Sequence, residues 1–527
     1  MADGSHFMFW KSKETSIEKG ALTVALVTIV GSLLGVLKNT LLASKFGASR
    51  DLDIYFAAFR IPDFLYGFLV FSSLSSSFMP VFAKAIKNGK EDVWSLISRI
   101  FSIFILFFGL SALIVFFFSE KLALLIAPGF SLSDIEKLSS LLRILMIQPI
   151  FLSLSNLFSI TLQGFKKFFV SSLAPVFYNV GIIIGVAWFS DFWGISGVAW
   201  GVVFGALLHL LIQIPGLKAL GFKFLFNKTA VPYLKETIFL MIPRSMTILM
   251  NNVVLFWVTS VSSLLAVGSL GIYNLADSLQ SLPITVVVMS LVTASFPFIS
   301  QKWADYETEG SPERKQDFIN SIDEVFSRIA IIIVPITLAF AAFSKEIVGL
   351  FLGYGNFSFA DQMLTGLVFL VFVLFLPFQA FTMFLIRAFF AATDTKTPFL
   401  IRIVSAVVFQ IPLIWLASKT FGIVGLVFGL NLGYLIDSLL LYFLFKKRIG
   451  FLTLPLSKKN LFLGLRFGGL CVLPVLIFNL LDYQFFNFGL FGLLFLKGFL
   501  VVVAFVFGVR FGYLKLPELK SVFKDGI

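Results

Sequence analysis

Apolar residues run along this chain in blocks of about twenty or more, separated by short polar clusters. A helix of about 20 apolar residues crosses the hydrocarbon core of a bilayer. On that criterion the sequence predicts fourteen spanning helices: 20–44, 54–84, 96–119, 139–164, 169–190, 193–215, 236–262, 268–299, 326–344, 362–391, 398–418, 422–445, 460–481 and 488–512. The second and eighth are long enough to imply tilt or interfacial ends. The fold class expected is all-α and polytopic.

The pattern repeats internally. "DIYFAAFRIPDFLYGFLVFSSLSSSFMPVFAK" (53–84) lies against "GIYNLADSLQSLPITVVVMSLVTASFPFISQK" (271–302), and "SEKLALLIAPGFSLSD" (119–134) against "SKEIVGLFLGYGNFSFAD" (344–361). The clearest pair is "GISGVAWGVVFGALLH" (194–209) and "GIVGLVFGLNLGYLID" (422–437), in which four glycines match at one offset and His209 falls on Asp437. A six-helix repeat unit leaves both copies in the same orientation, the parallel arrangement of two-lobed transporters. The expected layout is a lead-in (1–19), an N-lobe (20–217), a linker (218–235), a C-lobe (236–445), two extra helices within 460–512, and a tail (513–527). Glycines four apart on helices six and twelve suit close backbone approach.

Composition agrees with this picture. Of 527 residues, 58% are hydrophobic and 13% charged, with Phe occurring 69 times; soluble domains are nearer 45–50% apolar and about 25% charged. Mean hydropathy is +0.98. The single cysteine, Cys471, excludes an internal disulfide and a cysteine metal cluster, and two histidines are too few for a histidine metal site. The net charge of +13 could suggest nucleic acid, but its distribution argues for loops. Of the loop Lys and Arg, 24 fall in one alternating set and 6 (Lys45, Arg50, Lys121, Lys137, Lys345 and Lys419) in the other. That asymmetry places both termini in the cytoplasm and makes the lead-in cytoplasmic.

Charges inside the blocks carry the chemistry. "GVLKNTLLASKFGASRDLDIYFAAFRIPDF" (35–64) puts Lys38, Arg60 and Asp63 where the surroundings read as spanning helix. Such groups are costly at mid-bilayer and normally face a bundle interior or a wet cavity. Arg60 and Asp63, three apart, share a helical face. Arg244, Asp277, Asp437 and Arg466 are also embedded. Arg387, Lys396 and Arg402 bracket the turn "RAFFAATDTKTPFLIR", so snorkelling to the interface is expected of them. Internal Arg–Asp pairing for packing is the competing reading of Arg60 and Asp63. If these groups line a cavity, the excess of cations suits an anionic substrate group such as a diphosphate or carboxylate.

GxxxxGK[ST], HExxH and GxSxG are all absent from the sequence, which argues against nucleotide-driven transport by this chain and against two enzyme classes. No cofactor is expected. A transporter driven by ion gradients or membrane potential remains.

Several motifs in order carry a resemblance: "FGASRDLDIYFAAFRIPDF" (46–64), "LLIAPGFS" (124–131), "LLRILMIQP" (141–149), "QGFKKFFVSSLAPVFYNVGIIIG" (163–185), "LMIPR" (240–244) and "RAFFAATDTKTP" (387–398). With these spacings the chain resembles the MurJ/MviN lipid II flippases, a branch of the MOP exporter superfamily. The resemblance implies two six-helix lobes, a terminal helix pair forming a groove for the polyprenyl tail, and alternating access. It implies a lipid-linked oligosaccharide diphosphate carried from the cytoplasmic to the outer leaflet of a bacterial cytoplasmic membrane, in peptidoglycan synthesis, by a monomer coupled to membrane potential or a monovalent cation. Lys38, Asp53, Arg60 and Asp277 fall on family positions of like charge. Lys38, Asp53, Arg60, Asp63, Arg244 and Asp277 are therefore the expected central-cavity residues. Ser32, Asn39, Tyr66, Ser278 and Ser281 stand where the family carries charged residues, so several cations are missing. The alternatives are a flippase for another polyprenyl-linked glycan, a small-molecule or cation antiporter of the same superfamily, and a non-transporting scaffold.

Overall fold

The computed structural model describes residues 17–67, 73–227 and 231–450. Among them the regular structure is entirely helical. The chain divides into two compact units, the first reaching Gly271 and including 355–357, the second holding the remainder. The first contains α1 (Ile17–Phe46), α2 (Arg50–Ala58), α3 (Arg60–Tyr66), α4 (Ser73–Asn88), α5 (Lys90–Ile126), α6 (Leu132–Leu145), α7 (Ile147–Gly164), α8 (Phe168–Ile184), α9 (Ser190–Leu211), α10 (Ile214–Ala219) and α11 (Val231–Ser263). It also holds the start of α12 (Ser269–Pro283). The rest of α12, with α13 (Met289–Glu309), α14 (Pro312–Ala342), α15 (Ser344–Leu352), α16 (Phe359–Leu374), α17 (Leu376–Ala391), α18 (Lys396–Val404) and α19 (Ile411–Arg448), forms the second.

Helices overlie the first twelve predicted stretches, residues 68–72 aside. The stretches at 460–481 and 488–512 lie outside the described residues. By length and apolar composition, seven described helical segments can cross a membrane, or eight when the bent pair α16–α17 is taken as one.

Several predicted rods are broken. α2 gives way to α3 at Phe59, α6 to α7 at Met146, and α16 to α17 at Phe375, the last with a 43° bend. Each break lies two or three residues before a proline: Pro62, Pro149 and Pro377. Proline has no N–H to bond the carbonyl four residues back, and its ring crowds that carbonyl. The two helices α6 and α16 also begin alike. Ser131 with Asp134, and Ser358 with Asp361, form reciprocal capping boxes that satisfy the first amides of each helix.

Each unit contains one glycine-lined helical hairpin. In the first, α8 continues through a π-helical turn (Gly185–Phe189) into α9, and the chain reverses at Gly194. A Cβ on Gly181 would overlap the Gly205 backbone, one on Gly201 that of Gly185, and one on Gly197 the Phe189 carbonyl. In the second, α19 reverses at Gly422, where Gly425 faces the Ala417 carbonyl and Gly429 that of Leu413. Backbones this close give van der Waals contact along their whole length, the association that remains available where lipid is as apolar as the protein.

The aromatic residues divide between packing and exposure. In the first unit Phe78, Phe82 and Trp94 form the core with Phe165 and Phe222 packed against them; in the second Phe318, Phe384, Phe389 and Phe445 do so with Trp303. Others face outward: Phe116, Phe117 and Phe118 on α5 are exposed, as a lipid-facing helix requires.

Candidate functional site

The ends of α1, α2 and α3 set the candidate residues. The Ser49 hydroxyl accepts the Leu52 amide (3.4 Å) and caps α2. One turn on, Asp53 is 2% exposed, and its carboxylate accepts the backbone amides of Gly268 (2.7 Å) and Gly271 (2.8 Å) around the start of α12. Arg50 lies 3.6 Å from Asp53 and 3.5 Å from Asp134, with its guanidinium over the Phe130 ring. The described partners of Asp53 are thus protein groups that hold one helix start.

Half-buried Lys38, Arg60 and Asp63 come together in the same unit. The Asp63 carboxylate lies within electrostatic reach of both cations, Arg60 acting more strongly than Lys38. The Arg60 Nε donates to the Thr259 hydroxyl of α11 (2.5 Å). Around Asp63 stand three tyrosines, Tyr55, Tyr66 and Tyr178, each in electrostatic contact with its carboxylate. Amides from α7 support two of them: Asn156 Nδ2 donates to the Tyr66 hydroxyl (2.8 Å) and Gln148 Nε2 to the Tyr178 hydroxyl (3.1 Å). Two cations with one anion leave this cluster net positive. Such a balance can hold an anionic group without leaving bare, mutually repelling cations when the group departs.

Arg244 lies on α11, and its side chain is outside the described residues. Asp277, on α12 in the second unit, accepts Gln280 Nε2 (2.9 Å) and is in electrostatic contact with Tyr434. Tyr434 stands beside a buried ion pair, Arg402 Nη1 to Asp437 Oδ2 at 2.6 Å, whose side chains are 7% and 2% exposed. Here the snorkelling expected of Arg402 is overturned. α18 points its guanidinium into the helix packing, where Asp437 neutralises it, while Arg387 and Lys396 remain exposed. His209, matched to Asp437 in the repeat, instead shares a 2.6 Å hydrogen bond with Ser155.

Sequence reasoning missed Tyr178, Gln148, Asn156 and Thr259. A signal existed for two of them: Gln148 and Asn156 are eight residues apart, hence on one face of an otherwise apolar helix. Among the described residues there is no group of three or more His, Cys, Asp or Glu side chains able to hold a metal ion.

A family model described as "Lipid II flippase MurJ" matches residues 42–497. A "Probable lipid II flippase MurJ" from Buchnera aphidicola subsp. Acyrthosiphon pisum is 29% identical over 391 residues, covering 72% of this chain and 74% of its own. A "Lipid II flippase MurJ" from Burkholderia cenocepacia is 25% identical over 442 residues, covering 82% and 84%. Among solved structures, a lipid II flippase MurJ in an inward closed conformation superposes with a TM-score of 0.76 at 23% identity, over 93% of this chain and 99% of that one. An inward-facing multidrug resistance MATE family transporter of the MOP superfamily follows at 0.67 and 14% identity, over 80% and 94%. These two likenesses establish the fold, and the match across 42–497 establishes the lineage: the chain belongs to the MurJ lipid II flippase family.

Proposed function

We propose that this chain is a lipid II flippase of a bacterial cytoplasmic membrane, moving the lipid-linked peptidoglycan precursor from the cytoplasmic to the outer leaflet by alternating access. The observation that carries the reading is the convergence of Lys38 and Arg60 on Asp63 in a member of this family. Lys38 and Arg60 take the diphosphate, the guanidinium offering paired donors and the ammonium a compact charge. Asp63 holds both cations ready when the substrate is absent. Asp277 and Arg244 are proposed as substrate-contacting residues on the sequence reading alone, and Asp53 as framework, because its carboxylate is occupied by the Gly268 and Gly271 amides.

Fourteen spans in two six-helix lobes (20–217 and 236–445), with the pair within 460–512 as the tail groove, is the architecture this reading requires. Supporting it, the segments Phe168–Ala219 and Lys396–Arg448 run 52 and 53 residues, and each turns back at a glycine. At 1.5 Å per residue either would be more than twice the thickness of a bilayer core if straight, so each supplies two crossings. Both termini are assigned to the cytoplasm by the Lys and Arg asymmetry.

An interior-negative membrane potential drives an anion outward by about 2.3 kcal/mol per charge per 100 mV. A diphosphate diester head therefore moves downhill, and a coupled monovalent cation is an additional source of bias. The test is complementation of a MurJ-depleted bacterium. The wild-type chain restores growth and Lys38→Ala with Arg60→Ala abolishes it; full growth with the double variant would remove the grip assigned to these cations. A second reading, a flippase for another polyprenyl-linked glycan, rests on Ser32, Tyr66 and Ser278 standing at family cation positions. It predicts no growth with the wild-type chain.

A further inference from the structure

Gln148 is 4% exposed, and its Oε1 has no hydrogen-bond partner while its Nε2 donates to Tyr178. Exchanging the amide nitrogen and oxygen would only move the vacancy to the nitrogen, since Tyr178 supplies one partner for either atom. A buried amide atom without a partner forfeits the hydrogen bond that water would give it, so it marks a place where something else completes the bond. The surroundings say what kind of group that is. Tyr178 lies within electrostatic reach of Asp63, Tyr55 and Tyr66, and the Tyr66 hydroxyl accepts Asn156. The fixed charge at this end of the cluster is the Asp63 carboxylate, which repels phosphate and welcomes hydroxyl and amide donors. Aromatic faces beside neutral donors and acceptors suit a sugar ring, whose edge carries hydroxyls and whose face is apolar.

We infer that Gln148, Tyr178, Tyr66 and Asn156 form a glycan-reading face of the first unit, with Gln148 completing its hydrogen bonds on a hydroxyl or acetamido group of the sugar head. The inference rests on the flippase reading and deepens it: Lys38 and Arg60 take the diphosphate, and the tyrosine–amide side of Asp63 takes the adjoining sugar.

The experiment uses the full chain in lipid nanodiscs, titrated separately with lipid II and with undecaprenyl diphosphate, which keeps the tail and a diphosphate, with one more ionisable oxygen, but has no sugar. Gln148→Leu and Tyr178→Phe each weaken lipid II binding roughly five- to tenfold and change undecaprenyl diphosphate binding less than twofold. Equal losses for both lipids, or no loss for either, would overturn the inference. Should Gln148→Leu lower the unfolding temperature, Tyr178→Phe, which keeps the ring and removes only the hydroxyl, decides. A wild-type chain that complements a MurJ-depleted strain while both variants weaken the two lipids equally sinks the glycan face alone; one that neither complements nor binds either lipid sinks the flippase reading with it.

Discussion

Gly194 and Gly422 share one backbone geometry, φ 55° and ψ −136° in the first case, φ 58° and ψ −136° in the second. They occupy matched positions of the internal repeat, and each lies at the reversal of a glycine-lined hairpin. Residues with a Cβ reach that region only at a cost of about 1–3 kcal/mol. Ala at either position should therefore destabilise the chain by that amount, read as a lower unfolding temperature in detergent. Gly35, in the middle of α1, whose Cβ would meet nothing within 4 Å, is the control, and Gly35→Ala should not lower the transition and should raise it slightly.

The Arg402–Asp437 pair carries the second prediction. Both groups are buried, so removing one partner strands the other charge in the packing, at roughly 3–5 kcal/mol. Arg402→Met or Asp437→Leu alone should impair folding and yield. The double substitution to apolar residues should recover most of the loss, because no uncompensated charge remains. A double variant as unstable as either single one would show that the pair does more than neutralise itself.

How much of this was legible in the sequence depends on which force decides each feature. Helix positions within the described residues were, because an apolar run of about twenty residues must cross or be buried. The glycine hairpins were as well, through four matched glycines. The breaks at Phe59, Met146 and Phe375 were not anticipated, although Pro62, Pro149 and Pro377 stand in plain view; composition averages over a proline that costs a helix one bond. Lys38, Arg60 and Asp63 were found because a charge in an apolar run is conspicuous. Gln148, Asn156 and Tyr178 were missed because neutral polar residues are common in spans, and only packing reveals which of them converge. Arg402 was misjudged for a related reason: its partner lies 35 residues away, and sequence alone offers water as the nearer solution.

Asp53 supports a third prediction. Its two oxygens each accept a backbone amide near the start of α12. Asn is nearly isosteric but turns one acceptor into a donor facing an N–H. Asp53→Asn should then cost about 1–3 kcal/mol, and Asp53→Ala at least as much. Hydrogen exchange at the Gly268 and Gly271 amides checks this directly, since protection there should fall before the global transition. Unchanged protection in Asp53→Asn would remove the capping role.

The fourth prediction concerns acid. Asp394, in the turn between α17 and α18, accepts the Thr397 amide (2.9 Å) and hydroxyl (2.5 Å), and the Arg448 guanidinium at 3.1 Å. Burial on its own pushes this carboxyl up, but the Thr397 and Arg448 contacts outweigh it and hold it below the usual carboxylate range. A carboxyl whose value is depressed on folding contributes stability that is present above its unfolded value, near 4, and is lost as pH falls through the lower folded one. Asp394→Asn should thus be less stable than the wild type at pH 7, by a margin that shrinks below about pH 4. Unfolding temperatures of the two chains between pH 7 and pH 3 test it, since other carboxylates titrate equally in both. A margin independent of pH would mean that the Thr397 and Arg448 contacts do not favour the ionised form.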